Sequence, residues 1–227
     1  MQMDEITDKQ LAKLAKHKLF KGMDCAAVEK LVTFTGARIR QYNRGEIVLH
    51  KGDRLRSLIV VLSGRVNVIQ PTRDGAELID YTAAAGGVVG TSFVMQRSDE
   101  FPSRIQAAEK SELALIELGK LREAFKMPEF AGLFENIYRA LAAVLVECQQ
   151  KLSVIACWEI SDKVLTYLER LAAASGSREV KIPFRTSGEF AQYLGVNRCA
   201  MSRSLSMLER KGILSHSGGV YTLSKGV

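Results

Sequence analysis

The spacing of apolar residues changes along the chain, and this change restricts the available folds more than any other sequence feature. From residue 45 to 117 apolar residues occur in short runs with a period of two, separated by glycine turns. After Pro128 the spacing becomes three and four residues. A period of two is typical of strands, and a period of 3.6 is typical of helices. The chain is therefore expected to be α+β, with an all-β module followed by helices.

The all-β module is predicted to be a β-sandwich or jelly roll, because short strands recur at regular spacing with glycine turns between them. The turn signals are Gly52-Asp53, Ser63-Gly64 and Asp74-Gly75. The strand candidates are 46–49, 58–62, 65–69, 78–81 and 113–116. Two helices are expected before the module, one after a capping box at Thr7 and one after the N-cap Asp24.

A long helix is predicted after the module, because apolar residues recur there for about three heptads. A seam of this kind needs a second helix to cover it. A second copy of the chain would supply one, and the alternative is packing against the β-module. The seam consists of Phe134, Ile137, Leu141, Val144, Cys148, Leu152 and Ile155.

The positive charge of the chain is concentrated near its C-terminus. The formal net charge is +7, and residues 180–227 carry +5 of it, with seven basic and two acidic residues. The preceding 179 residues are nearly neutral. This distribution fits a phosphate-facing module attached to a neutral body. By charge alone, a solvated basic surface explains it equally well.

Residues 187–212 have the spacing of a helix-turn-helix. A short helix is predicted over 187–194, followed by Gly195, which tolerates the left-handed turn conformation. Asn197 is a strong N-cap for the next helix. In that helix Met201, Leu205 and Leu208 share one face. The opposite arc carries Cys199, Ser202, Arg203 and Ser206, and Arg198 stands at the helix start.

Arginines and small hydroxyls in the first turns of a helix suit entry into the major groove of DNA. Arginine can hydrogen-bond guanine O6 and N7 together, and serine can reach bases or phosphates. The alternative is a surface helix with two solvated arginines. After the helix, residues 212–223 are predicted to form a hairpin wing. His216 and Ser217 there are either phosphate contacts or members of a solvated loop.

A β-module, a long helix and a winged helix-turn-helix in this order resemble the CRP/FNR family of bacterial transcription regulators, and the resemblance covers nearly the whole chain. The β-module motifs are Arg44-Gly45-Glu46-x-Val48, Gly52-Asp53 and Leu62-Ser63-Gly64-x-Val66. The DNA-binding motifs are Phe190-Ala191-x-Tyr193-Leu194-Gly195-Val196-x-Arg198 and Ser202-Arg203-x-Leu205-x-x-Leu208-Glu209-x-x-Gly212-Ile213.

The resemblance implies a homodimer that binds a near-palindromic site in double-stranded DNA. An effector bound in the β-module would reorient the DNA-binding domains through the long helix, and RNA polymerase is an expected partner. By the same resemblance Arg203 reads a guanine, with Ser202 and Arg198 as neighbouring contacts. Thr186 and Ser187 would hold the DNA backbone. The implied domains are 1–125 for sensing, 126–157 for dimerisation and 158–227 for DNA binding.

The effector pocket departs from the cyclic-AMP binders of this family, which carry Gly-Glu-Leu and, downstream, Arg-Ser/Thr-Ala. Here the first segment is Gly90-Thr91-Ser92 and the second is Phe101-Pro102-Ser103-Arg104. The ribose carboxylate is missing, and the phosphate arginine position falls on Phe101. We therefore expect no tight cyclic-nucleotide binding. The candidate pocket residues are Gly90, Thr91, Ser92, Ser103 and Arg104, with Cys148 from the long helix.

The four cysteines do not have the spacing of a metal site. Cys25, Cys148, Cys157 and Cys199 include no C-x₂-C pair, so an iron–sulfur or zinc site is not expected. Free cysteines suit a reducing cytoplasm. Cys199 lies beside two arginines near a helix start and is a candidate redox sensor. Haem is not expected either, because the histidines have no second ligand at suggestive spacing.

Other classes of protein are less consistent with the sequence. No apolar stretch is long enough to span a membrane, and the acidic start does not have the order of a signal peptide. A cupin-type metalloenzyme would need several histidines in the β-region, which offers only His50. A cyclic-nucleotide regulatory protein that does not bind DNA remains an alternative, and the helix-turn-helix argues against it. No cofactor and no enzymatic activity are predicted.

Overall fold

The computed structural model describes residues 6–73, 75–96 and 100–224, and the chain divides into two compact units. The first unit is Met1–Gln70 with Tyr81–Val146, and the second is Pro71–Asp80 with Glu147–Val227. The long helix has residues in both units. The domain boundaries proposed from the sequence at residues 125 and 157 therefore remain a prediction.

The two helices expected near the N-terminus are present. Helix α1 spans Asp8–Ala15, and Thr7 and Gln10 form the predicted capping box. Helix α2 spans Cys25–Thr35, and the Asp24 carboxylate accepts a hydrogen bond from the Ala27 amide at 2.7 Å. These caps satisfy amide groups that the first turn of a helix leaves without an internal partner. Both predicted helix starts are confirmed.

The first unit is built on antiparallel strands, as the period of two predicts. They form two four-stranded sheets, of order β1-β8-β3-β6 and β2-β7-β4-β5. The buried side chains of both sheets contribute to one hydrophobic core. The strands are β1 (Arg38–Tyr42), β2 (Ile47–Leu49), β3 (Ser57–Ser63), β4 (Arg65–Pro71), β5 (Glu77–Ala84), β6 (Val88–Val89), β7 (Arg104–Ala107) and β8 (Ser111–Glu117).

All five predicted strands are observed, and three more complete the sheets. Strand β3 is buried from Leu58 to Leu62, which agrees with its unbroken apolar run. Strands β1, β6 and β7 were not predicted. Strand β1 lies at the edge of its sheet and carries exposed arginines, and β6 has only two residues, so neither gives a strong apolar signal.

After the sheets, helix α3 spans Leu118–Ala124 and helix α4 spans Ala131–Ala156. The predicted seam of α4 needs one correction. Ile137 is only 5% exposed and belongs to the core of the first unit, so it faces inward. The large apolar side chains that α4 exposes include Phe134, Tyr138, Leu145 and Leu152. Val144 is half-buried, as are Leu141, Cys148 and Ile155, and the seam itself stays a prediction.

The second unit contains the predicted compact helical part and its hairpin. Strands β10 and β11 pair as the hairpin, and β9, which was not predicted, adds a third strand in the order β10-β11-β9. The elements are α5 (Ile160–Ser175), β9 (Glu179–Lys181), α6 (Ser187–Leu194), α7 (Arg198–Arg210), β10 (Leu214–Ser217) and β11 (Val220–Leu223). Across residues 6–73, 75–96 and 100–224, no helix has the length and hydropathy that a membrane span requires.

Candidate nucleic-acid interface and effector pocket

Helices α6 and α7 form the predicted helix-turn-helix, and each begins at a side-chain cap. The Thr186 hydroxyl accepts a hydrogen bond from the Glu189 amide at 3.1 Å. The Asn197 side chain accepts from the amides of Cys199 at 2.9 Å and Ala200 at 3.2 Å. Between the helices, Gly195 has φ +65°, which costs glycine little and a larger residue more. The short turn is thus fixed by local interactions.

The inner faces of both helices pack on an aromatic core within the second unit. The Tyr167 ring of α5 lies 5.3 Å from Phe190 and 5.1 Å from Tyr193, measured between ring centroids. Both of those residues belong to α6. On α7 the residues predicted to face inward, Met201, Leu205 and Leu208, are all buried. Since one side of α7 is covered, its opposite side is the one presented to solvent.

The residues predicted to contact DNA are all exposed. They occupy the start of α6 and the outer face of α7: Thr186, Ser187, Arg198, Cys199, Ser202, Arg203 and Ser206.

Two of these residues are linked to each other. The Arg198 guanidinium donates through Nε to the Ser187 hydroxyl at 3.1 Å. This bond joins the start of α6 to the start of α7 and restricts the directions in which Arg198 can point. Its remaining guanidinium donors can still face an anion or a base edge.

The hairpin wing is held against the end of α7. His216 Nδ1 lies 2.8 Å from Glu209 Oε1, and the His216 amide donates to the same oxygen at 3.3 Å. The imidazole also stacks on the Tyr221 ring with an interplanar angle of 12°. Burial, followed by the charge of Glu209, raises the pKa of Tyr221. The predicted phosphate contact His216 is therefore also bonded to α7.

Lys151 is a buried cation of the second unit that the sequence reading missed. Its ammonium donates to the backbone oxygens of Ile79 and Asp80, the latter at 3.1 Å, and lies 5.0 Å from the centre of the Tyr193 ring. Burial lowers the pKa of Lys151 to about 8, although Asp80, Cys148 and Glu147 act in the opposite direction. Its spacing could have indicated the burial of Lys151, which stands seven residues after Val144 and three before Val154 and so lies on the inward face of α4.

Tyr193 belongs to the first helix of the helix-turn-helix, so Lys151 links that helix to the start of strand β5. A second contact supports the same link, because Gln192 donates to the Glu77 carboxylate at 3.4 Å. Cys148 lies near this cluster, where burial followed by the charges of Glu147 and Asp80 raises the pKa of its thiol. A neutral thiol is a poor nucleophile, so this position suits packing better than redox chemistry.

The candidate effector residues lie in differing surroundings. Gly90 has φ +93°, Thr91 and Ser103 are buried, and Ser92 is exposed. Cys148 belongs to the second unit, and its place beside the pocket stays a prediction.

The surroundings of Arg104 and Phe101 bear on which effector the candidate pocket could bind. Arg104 shares a face of β7 with Gln106, opposite the buried Ile105, and donates to the Gln106 side chain at 3.3 Å. Its role as a ligand for a small effector stays a prediction. Phe101 is buried, and its ring lies 5.3 Å from that of Phe93. Phe101, the residue that the resemblance places at the phosphate arginine of cyclic-AMP binders, is thus one of an aromatic pair.

The cysteines are free in this structure. Among residues 6–73, 75–96 and 100–224, no three histidine, cysteine or acidic side chains come together as a group that could hold a metal ion.

Comparison with known proteins agrees with this architecture. Residues 39–127 match the cyclic nucleotide-binding domain family. The chain is 27% identical over 192 residues to the fumarate and nitrate reduction regulatory protein of Vibrio cholerae, covering 82% of this chain and 74% of that one. It is 25% identical over 207 residues to the CRP-like protein Clp of Xanthomonas euvesicatoria, covering 88% and 89%.

Solved structures are similar to most of the chain. The global regulator CLP of Xanthomonas campestris superposes with a TM-score of 0.72 at 23% identity, covering 88% of this chain and 99% of that one. FixK2 of Bradyrhizobium japonicum gives 0.67 at 19% identity, covering 83% and 93%. The fold is therefore CRP/FNR-like, and the curated relatives are regulators of the FNR and CRP type. The resemblance drawn from the motifs is confirmed, and these relatives are regulators rather than enzymes.

The buried Lys151 predicts a specific dependence of stability on pH. Between about pH 8 and 10 the unfolded chain keeps its lysine proton, whereas folded Lys151 loses it near pH 8. Because the unfolded state then binds more protons, raising the pH favours the folded state. From pH 8 to 9.5, the free energy of unfolding of the wild type should rise by about 1.5 kcal/mol relative to Lys151→Met.

Urea unfolding followed by circular dichroism at several pH values measures this difference. Lys181→Met, at an exposed lysine of the same unit, is the control and should follow the wild type. If the free energy of unfolding of the wild type and that of Lys151→Met changed equally with pH, the prediction would be contradicted.

Proposed function

We propose that this protein is a homodimeric, sequence-specific DNA-binding transcription regulator, controlled by a small-molecule or redox signal sensed in its β-domain. The observation that carries the proposal is the exposed face of α7. Arg198 and Arg203 stand there with small hydroxyl side chains, on a helix whose other face is buried and whose start is capped by Asn197. The relatives, which are transcription regulators of the same fold, support it.

In the proposed complex α7 enters the major groove with its N-terminal end first. Arg203 reads a guanine, and Ser202, Ser206 and Cys199 lie against neighbouring base edges or phosphates. Arg198 contacts DNA from the direction that its bond to Ser187 allows. Thr186 already accepts a bond as the cap of α6, so its hydroxyl hydrogen is the group left for a phosphate oxygen.

The basic charge of the last 48 residues fits this role. The phosphate backbone supplies a large share of DNA affinity through counterion release, and that share falls steeply with added salt. A metalloenzyme or a cyclic-nucleotide protein that does not bind DNA would not have this dependence. The relatives favour neither of those alternatives.

The exposed apolar stripe of α4 supports a dimer. Tyr138 is 64% exposed, Leu145 is 58% exposed and Leu152 is 66% exposed, and these side chains recur at near-heptad spacing. Together with Phe134 they form a seam that a second copy of the helix can cover. Two copies would present two α7 helices to half-sites about one helical turn apart in a near-palindromic duplex. RNA polymerase is the expected further partner, by resemblance.

The signal is proposed to be something other than cyclic AMP. Phe101, at which the resemblance expects the phosphate arginine, pairs with Phe93, and Arg104 shares its strand face with Gln106. Thr91 and Ser103 remain as buried polar groups for a different small effector. The Xanthomonas campestris regulator is described as responsive to c-di-GMP, which makes that dinucleotide a second ligand to test. Oxidation of the exposed Cys199 is the redox alternative.

The assignment of α7 is tested by Arg203→Ala. Losing a bidentate guanine contact should weaken binding by about 1–3 kcal/mol and relax one base preference. Lys211→Ala, at an exposed residue beyond the helix, should at most weaken binding to all sequences alike. Selection of duplexes from a random pool, followed by titration of each variant, measures both effects. An unchanged preferred site and affinity for Arg203→Ala would refute the assignment.

The dimer seam is tested by Leu145→Asp. Placing a charge in the seam should raise the dimer dissociation constant by at least about tenfold, because the carboxylate would have to be buried without a partner. Ala143→Asp is the matched control, since that exposed residue lies about 160° away around the helix at 100° per residue. Sedimentation equilibrium measures both, and equal dissociation constants would contradict the seam.

The effector prediction is tested by calorimetry. Cyclic AMP should give no binding tighter than about 100 μM, an affinity of about −5.5 kcal/mol, because neither a ribose carboxylate nor a phosphate arginine is in place. A parallel titration with c-di-GMP shows whether the protein also lacks tight binding of the dinucleotide. A micromolar dissociation constant for cyclic AMP would overturn this prediction.

A further inference from the structure

Glu209 occupies a position that its surroundings disfavour. It lies in the last turn of α7, where the helix dipole is negative and a carboxylate is destabilised. It also adds negative charge to the module that is proposed to meet phosphates. An acidic side chain in this place needs a compensating interaction, and His216 supplies one.

The compensation is a double contact with the wing. Glu209 Oε1 lies 2.8 Å from His216 Nδ1, and the same oxygen accepts a hydrogen bond from the His216 backbone amide at 3.3 Å. Two bonds to one residue fix both the position of strand β10 and the orientation of its side chain. The imidazole is restrained a third time by stacking on the buried ring of Tyr221.

We propose that Glu209 and His216 form a clamp that positions the wing for contact with the DNA backbone. Glu209 is then a positioning residue: it does not touch DNA, and it acts through His216. The inference rests on the proposed DNA-binding function and adds to it a residue whose charge would by itself weaken binding.

The wing tip is placed by this clamp. Ser217 follows His216 directly, and Gly218 and Gly219 close the turn with φ +57° and +81°. These residues are small and polar, so amide and hydroxyl donors can approach a phosphate closely. Strands β10 and β11 pair over four residues, and the bonds of Glu209 to His216 lie at the half of the hairpin nearer its turn. Without the clamp, the wing would lose this contact part of the time.

The sign of the effect distinguishes the clamp from simple electrostatics. Removing a negative charge next to DNA should strengthen binding, or leave it unchanged at high salt. If Glu209 holds the wing, Glu209→Ala should instead weaken binding by about tenfold, the order expected for a hydrogen-bonded charged group. Glu209→Gln keeps an oxygen acceptor without the charge, so it should recover most of the affinity.

The experiment uses the full-length protein and the duplex that the wild type selects from a random pool. Fluorescence anisotropy at several salt concentrations gives the affinity and its salt dependence. Glu179→Ala is the matched control, because Glu179 is an exposed glutamate of the same three-stranded sheet. It should bind as tightly as the wild type or more tightly.

A double-mutant cycle with His216→Ala isolates the pair. If Glu209 acts only through residue 216, the double variant should bind as weakly as Glu209→Ala alone. His216→Ala keeps the backbone amide bond to Glu209, so it should bind no more weakly than Glu209→Ala. Additive effects would overturn the proposal and would mean that His216 contacts DNA independently. Binding by Glu209→Ala as tight as that of Glu179→Ala would overturn it as well.

Two further measurements keep the result interpretable. Hydrogen exchange on the free protein should show faster exchange of the His216 amide in Glu209→Ala, with the amides of Met201 and Leu205 unchanged. Unchanged exchange at His216 would contradict the clamp without reference to DNA. A wild-type protein that selects no duplex would refute the proposed function itself, which separates that failure from failure of the clamp alone.

Discussion

The packing of Tyr167 is the interaction on which the DNA-reading part of the molecule depends. Its ring is almost completely buried and contacts Phe184, Phe190 and Tyr193, which belong to the approach to α6 and to α6 itself. Aromatic pairs of this kind contribute about 0.5–1.5 kcal/mol each beyond the burial of their surface. Helix α6 is therefore placed by α5, and α7 packs directly on both α5 and α6. The buried aromatic core therefore sets the direction of the exposed Arg198 and Arg203, although neither side chain belongs to that core.

Features that depend on neighbouring residues, such as turns, caps and helix faces, could be predicted from the sequence better than features that depend on tertiary packing. The turn between α6 and α7 was predictable because Gly195 and Asn197 act through their own backbone conformation and caps. The strands of the β-module were predictable where an apolar run is buried on both faces, as in β3. The exposure of Arg203 and its neighbours on α7 followed from helical periodicity alone.

The missed features depend on contacts between residues that are far apart in sequence. Ile137 and Tyr138 differ by one position, and only the packing of α4 on the first unit determines which of them faces inward. Strand β1 carries arginines at an edge and lacks the apolar signal of β3. Arg104 could be assigned to either face until the register of β7 with Ile69 was known. For Glu209, the sequence shows an acidic residue in a basic segment but does not show His216 opposite it.

Lys151 lies where the long helix α4, the start of β5 and helix α6 meet within the second unit. It belongs to α4, and its ammonium bonds the carbonyl oxygens of Ile79 and Asp80 at the start of β5. The same ammonium faces the ring of Tyr193 on α6. A displacement of β5 that broke these bonds would leave the cation without its carbonyl partners and would change its position relative to α6. Because an unpartnered buried cation is costly, such a displacement must either expose Lys151 or remove its proton. Either outcome changes the contact between Lys151 and the Tyr193 ring of α6.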